Sequence, residues 1–419
     1  LKKHEMRKII HILLFWVVTS TVFTACGSDD PMDINEVNKQ TVLVFMPWSG
    51  SQTSAGLYGI FLENLDSIEG SIVKNKGMTG RLMVFISRSA TQSELYEVKY
   101  ENKQITHKNV KTYTGTDYTT PAGIAQILND VKANAYALNY AMMIGCHGCG
   151  WTYKSDWESY PYQAKKHVWV EAPQAKRMPS SGHQPSRYPT TRFFGSVSSM
   201  ANAIDITDLA AGIQNAGMKM QFILFDDCYM ANVETAYELR NATNFLIGST
   251  SEVMAQGMPY QAIWKSLANA TPAYAEVVSA FHDYYSKYTY PYGALSAVDC
   301  RAVEALATIM REINKRYTLN EALMDSLQVL DGFKTPIFYD LGDYVTRLCD
   351  NPNLQSDFRA TMDRVVRAKS NTDTLYSFLY WEPVKIKVKS YSGLTISDPS
   401  RNSVATKGRR KTSWWKATH

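Results

Sequence analysis

No D-x-D-x-D-G loop occurs in this chain, so no calcium site of that kind is expected. No second C-x-x-C and no H-x(3–5)-H follows the one C-x-x-C at Cys146 and Cys149, so a zinc set is left incomplete. Neither a metal nor a cofactor is expected. There is no internal repeat to suggest a repeat array. The apolar run near the start, Ile9 to Val18, is too short to span a bilayer comfortably. Excess charge is also lacking. The formal charge is +5, but Lys2, Lys3, Arg7 and Lys8, with Glu5, lie in a segment expected to be removed. Losing four basic groups and one acidic group leaves +2, which argues against nucleic acid as a main partner.

What is present begins with a basic start (Arg7, Lys8), the short apolar run and then Thr21-Val22-Phe23-Thr24-Ala25-Cys26. That order predicts a secretory signal over residues 1–25, with Met6 as the expected start of translation. A small residue followed by Cys26 resembles the lipobox of bacterial lipoproteins, although Phe23 stands where leucine is usual. The resemblance implies an exported protein of the cell envelope, held to the membrane only through lipid on Cys26. Residues 26–40 then read as the lipidated cysteine and a polar tether. Of the six cysteines, five remain after Cys26, and an odd number leaves at least one thiol unpaired.

Beyond the tether about 380 residues remain, enough for two domains or one large one with additions. Short apolar runs at Val42–Met46, Leu82–Ile86, Ala141–Gly145, Phe222–Phe225 and Phe245–Ile247 read as buried strands. Helical spacing lies between them, as in Leu57, Ile60, Phe61 and Leu65, in Ile124, Ile127, Leu128 and Val131, and in Ile206, Leu209 and Ile213. Asp205 or Thr207 could cap the last. Strands continuous in apolar residues and alternating with helices predict an α/β fold with a mostly parallel sheet covered on both faces. From residue 271 to 419 the pattern changes to an accessory helical or mixed region. Helices are expected over Tyr274–Tyr285, Arg301–Arg316, Asp340–Cys349 and Phe358–Ala368, strands near Gly293–Val298 and Tyr391–Ile396, and a solvated basic turn at Lys407–Lys411. Trp151–Arg192 is a long polar loop, a length that is usually functional or disordered.

In parallel sheets, sites gather at the carboxyl ends of strands. Two such ends carry chemistry. Ala141-Met142-Met143-Ile144-Gly145-Cys146-His147-Gly148 delivers a histidine between glycines, and Phe222-Ile223-Leu224-Phe225-Asp226-Asp227-Cys228 delivers two carboxylates and a cysteine just before a helix. A helix N-terminus favours thiolate, and a histidine on a neighbouring strand end can serve as its base. Taken singly, Cys228 reads as a core cysteine and His147 as a structural histidine. Taken together on one sheet, they read as a nucleophile and base.

These residues resemble the clostripain-like cysteine peptidases, within the wider caspase, gingipain and legumain group. The resemblance rests on Val42–Met46, on His147-Gly148 with Gly150-Trp151, on Phe225-Asp226-Asp227-Cys228-Tyr229-Met230, and on Ser251-Glu252 with Gly257-Met258-Pro259-Tyr260. It implies a caspase-like peptidase domain over residues 41–270. It also implies Cys228 as nucleophile, His147 as general base and acid, and the backbone N–H groups of Gly148 and Cys228 as oxyanion hole. Asp226 would read an Arg or Lys before the cut, with Glu252 the nearest candidate for a second acid. Protein or peptide substrates cut after Arg or Lys follow. So does self-cleavage in the 151–192 loop, which holds Lys154, Lys165, Lys166, Lys176, Arg177, Arg187 and Arg192. An alternative is a catalytically silent surface lipoprotein that binds peptides or a partner through the same cleft. A redox or metal module around Cys146 and Cys149 is a weaker one.

Overall fold

The computed structural model describes residues 38–49, 57–157, 202–288, 290–291, 293–380 and 383–419. Cys26, the signal, most of the tether and the loop residues 158–201 lie outside them. Residues 39–419 form one compact unit.

The apolar runs become strands β1 (Gln40–Met46), β2 (Arg81–Ser89), β5 (Asn139–Gly145), β6 (Met220–Asp226) and β7 (Thr243–Gly248). These five are parallel and adjacent in the order β7-β6-β5-β1-β2. Antiparallel strands extend both sides. β3 (Gln92–Glu101) and β4 (Gln104–Thr114) follow β2, while β8 (Ala294–Asp299) and β10 (Val366–Asn371) follow β7, making nine strands. Outside the sheet lie two short antiparallel pairs, β9 (Tyr339–Asp340) with β13 (Thr395–Ile396) and β11 (Thr374–Ser377) with β12 (Val384–Lys387).

Alternation along β1 shows how both faces are filled. Val42, Val44 and Met46 join one core with the helices Tyr58–Lys74, Tyr260–Leu267 and Tyr274–Tyr285. Leu43 and Phe45 join the other, with helices Pro121–Asn134, Ile206–Asn215, Val233–Glu238, Val303–Asn314, Leu341–Leu348 and Pro352–Val365. Every residue of β1 is buried, as a central parallel strand requires. Gln40, expected in the tether, is already β1, and its side-chain amide donates to the Leu267 carbonyl at 3.1 Å.

Three local expectations change, and the hairpin β3–β4 has no counterpart among the elements read from the sequence. The hairpin β3–β4 lacks an apolar run because β4 is an exposed edge, and Asn102 and Lys103 (φ 53° and 66°) supply its tight turn without glycine. The helix expected through Ala368 ends at Val365, where the chain turns into β10 to pair with β8. Asp205 occupies an N-cap position, but its carboxylate accepts the Lys154 N–H at 2.9 Å instead. The basic turn is not simply solvated, because Lys411 pairs with the buried Asp156 at 2.5 Å.

The strand order reverses between β1 and β5, a switch point of the kind at which open sheets hold ligands. The C-terminal helix Ser413–Thr418 closes the second layer, burying Trp414 completely with its ring edge-on to Tyr237 at 5.7 Å. Among the described residues no helix is long and apolar enough to cross a membrane. Trp414→Ala should destabilise the protein by about 3–5 kcal/mol, measured by denaturant unfolding. A loss below about 1 kcal/mol would show that this helix is not part of the core.

Candidate active site

The last ladder pair between β5 and β6 is Gly145 with Asp226. His147 and Cys228 each lie two residues beyond it, on neighbouring parallel strands. Past that pair the backbone ladder ends, and side chains take over. Asp227 accepts the Cys146 N–H at 2.7 Å and the Cys146 thiol at 3.4 Å, joining the two strand ends. The need for a carboxylate beside a buried strand is thereby met.

The glycines let the segments touch. A Cβ on Gly148 would stand 2.7 Å from the Asp227 Cβ and 2.8 Å from the Cys228 carbonyl oxygen. One on Gly150, whose φ is +60°, would stand 2.6 Å from Asn232 Nδ2 and 2.8 Å from the Tyr229 carbonyl oxygen. Any other residue at either place would push the histidine segment off the cysteine segment.

Tyr229, directly after the cysteine, has φ +61°, a left-handed conformation costly for a bulky side chain by about 1–3 kcal/mol. Its surroundings compensate. Its amide donates to the Ser251 carbonyl at 2.9 Å, and its hydroxyl donates to Glu252 Oε1 at 2.9 Å. Its ring stacks on Phe338 at 5.0 Å. Asn232 then caps the helix Val233–Glu238 by accepting the Thr235 N–H at 3.1 Å.

Cys228 is fully buried among Cys149, Trp151, Val253, Phe333, Ile337 and Phe338. Its sulfur accepts the Val253 N–H at 3.1 Å. Burial first, then the charge of Glu252, pushes its thiol well above the ordinary range. The thiolate expected from a nearby helix N-terminus is thus not favoured here. That helix has only six residues and starts five residues later, so desolvation outweighs its dipole. His147 is 5 % exposed and lines a cavity of about 60 Å³ with Pro47, Trp48, Ser49, Gly148 and Asp227, among others. Cys228 is not in its wall.

Asp226 is fully buried and accepts the Tyr260 hydroxyl at 2.7 Å. Glu252, 1 % exposed, binds the Tyr229 hydroxyl and accepts the Phe378 N–H at 3.1 Å. Asp331 is an acid that sequence reading missed. It gathers the loop over Tyr229 by accepting the amides of Phe333, Ile337 and Phe338 at 2.9, 2.8 and 2.6 Å. Burial raises its pKa to about 7. Nothing in the local sequence flags it, because its partners are backbone groups of an irregular loop. None of Cys146, Cys149, Cys228, Cys300 and Cys349 is in a disulfide. Burial pushes the Cys149 thiol up as well.

Residues 181–390 match the clostripain family, a span that includes Asp226, Cys228 and Glu252 and begins after His147. The chain is similar to the solved structure of a secreted C11 cysteine protease from Bacteroides thetaiotaomicron. The identity is 41 %, covering 91 % of this chain and 99 % of that one, with a TM-score of 0.79. A clostripain from the same organism in complex with a peptide inhibitor is 48 % identical over 52 % of this chain and 95 % of that one, with a TM-score of 0.50. An inactive zymogen C11 protease from Parabacteroides distasonis shares the fold. It is 22 % identical, covering 91 % of this chain and 98 % of that one, with a TM-score of 0.72. No curated protein matches the chain.

Below the cysteine segment, Glu234 and Asp398 form a buried acidic pair, with pKa values raised by burial to about 8 and about 7. A carboxyl whose folded pKa is raised keeps its proton in the folded state after the unfolded chain has lost it. Stability is then greatest below the unfolded pKa and falls as pH rises through the folded one. The melting temperature should therefore drop between about pH 5 and pH 8. Glu234→Gln should flatten that slope, as followed by thermal unfolding. An unchanged slope would remove Glu234 from the account.

Proposed function

The chain belongs to the clostripain family of cysteine peptidases, and from that premise we propose that it is an endopeptidase cutting after Arg or Lys with Cys228 and His147. The observation that carries this reading is the register that sets both residues two places past the Gly145–Asp226 pair, with Gly148 packed on the Cys228 carbonyl. The Cys228 sulfur attacks the scissile carbonyl carbon as its proton passes to His147. The oxyanion is met by the N–H groups of Gly148 and Cys228. His147 returns the proton to the leaving amine, and a thioester remains. Water, deprotonated by His147, then attacks that thioester and frees the new carboxylate and the thiol.

Charge supports the basic preference. Asp226, Asp227 and Glu252 are buried at or near the nucleophile, and the Glu252 charge acts on its thiol. A cationic side chain is the natural complement to such a field. In this reading Asp226 is the reader of that side chain. Glu252 adds field while bracing Tyr229.

A fully buried, unionised cysteine describes a latent single chain. We propose that a cut in the 151–192 loop relieves this. Lys154 is engaged with Ala203 through its ammonium group at 3.1 Å. The other basic candidates lie outside the described residues, as does Cys26, through which export and lipid anchoring at the cell envelope are proposed. The non-catalytic peptide-binding reading is not favoured, since the 41 % identical structure is described as a protease.

Cys228→Ala should abolish hydrolysis of Arg- and Lys-containing peptides and keep the protein as one band on a denaturing gel where the parent splits into two. Equal activity in both proteins would end the nucleophile assignment. Asp226→Asn should lower kcat/KM on such substrates by at least about 30-fold. Should the Arg/Lys preference survive intact, the reader lies elsewhere.

A further inference from the structure

We propose that Ser397 is a positioning residue for the catalytic pair, holding the histidine segment and the cysteine segment at a set separation. This rests on His147 and Cys228 being that pair. Ser397 is fully buried and bonds to both segments. Its hydroxyl oxygen accepts the Trp151 indole N–H at 2.9 Å, four residues past His147. Its amide donates to Glu234 Oε1 at 2.7 Å, six residues past Cys228. Two residues earlier, the Thr395 amide donates to the Ala231 carbonyl at 3.1 Å, and Thr395 pairs with Asn232, the cap of the helix after the cysteine. Trp151 is itself seated by the same C-terminal stretch, since a Cβ on Gly408 would stand 2.9 Å from its ring.

The need for such a brace follows from where the sheet stops. Both catalytic residues lie beyond the last ladder pair of β5 and β6. Asp227 ties the segments directly after that pair, through the Cys146 N–H. Ser397 ties them further along, past both reacting groups in sequence. With a tie on each side, the angle between the segments is set. A displacement of about 1 Å between reacting groups can cost about 100-fold in rate. The C-terminal region thus becomes a third contributor to the site, although it brings no group to the reacting atoms.

The test is a double-mutant cycle on the enzyme with a peptide amide carrying Arg before the cut. Ser397→Ala and Trp151→Phe remove the same hydrogen bond from its two ends, the latter keeping the aromatic ring. Each should lower kcat about fivefold, the worth of about one hydrogen bond, with KM within about twofold. The double variant should be no slower than the slower single one. Melting temperatures must stay well above the assay temperature, so that folded fractions are equal. Wild-type kcat in either single variant would overturn the proposal, and so would losses that multiply in the double variant. Should Ser397→Ala not fold, Trp151→Phe alone decides by its kcat. Failure of the pair itself has a separate sign, full activity in His147→Ala.

Discussion

The parallel pairing of β5 with β6 is the constraint on which the site depends. It sets Gly145 opposite Asp226 and so delivers His147 and Cys228 in step from adjacent strands. A slip of one residue would turn either side chain to the opposite face of the sheet. Beyond the ladder, the Asp227 bond to the Cys146 amide continues the same alignment with a charged acceptor, a stronger tie than a neutral one. Gly148 and Gly150 are then required, because the two segments are so close that no Cβ fits between them.

Burial of Cys228 competes with ionisation of its thiol. A helix N-terminus helps a thiolate only when the thiol lies near it and retains some solvation or a cation. Cys228 has neither advantage, being fully buried in an apolar cluster and facing the negative charge of Glu252. The left-handed Tyr229 keeps the turn sharp, and the Asp331 loop presses Phe338 onto it. The same contacts that shape the strand-to-helix turn therefore also hide the sulfur. In the proposed mechanism, attack on a peptide carbonyl requires this cluster to rearrange.

Residues after 270 do more than add a layer. β8 and β10 extend the central sheet, Trp414 closes one core, and Thr395 to Ser397 bond to both the His147 and the Cys228 segments. Buried acids recur along this seam, at Asp331, Glu234 and Asp398. Each is costly to ionise where it sits, and Asp331 and Glu234 accept backbone amides of irregular segments.

Much of the candidate site was legible in the sequence because its elements are periodic or punctuated. Five continuous apolar runs announced the parallel strands, and His147 and Cys228 stood out because each follows such a run at once. The glycines beside His147 likewise announced a close backbone approach. Other features left no local mark. β4 is polar because it is an edge, β10 looked like the end of a helix, and Asp331 and Ser397 act through partners 2 to 246 residues away. Sequence by itself determined which side chains could do chemistry and which strands would carry them, since periodicity and residue type are local properties. Tertiary structure alone decided that the sulfur is enclosed, that Asp227 joins the strand ends, and that the C-terminal stretch braces them. Desolvation and hydrogen-bond geometry depend on neighbours that only folding brings together.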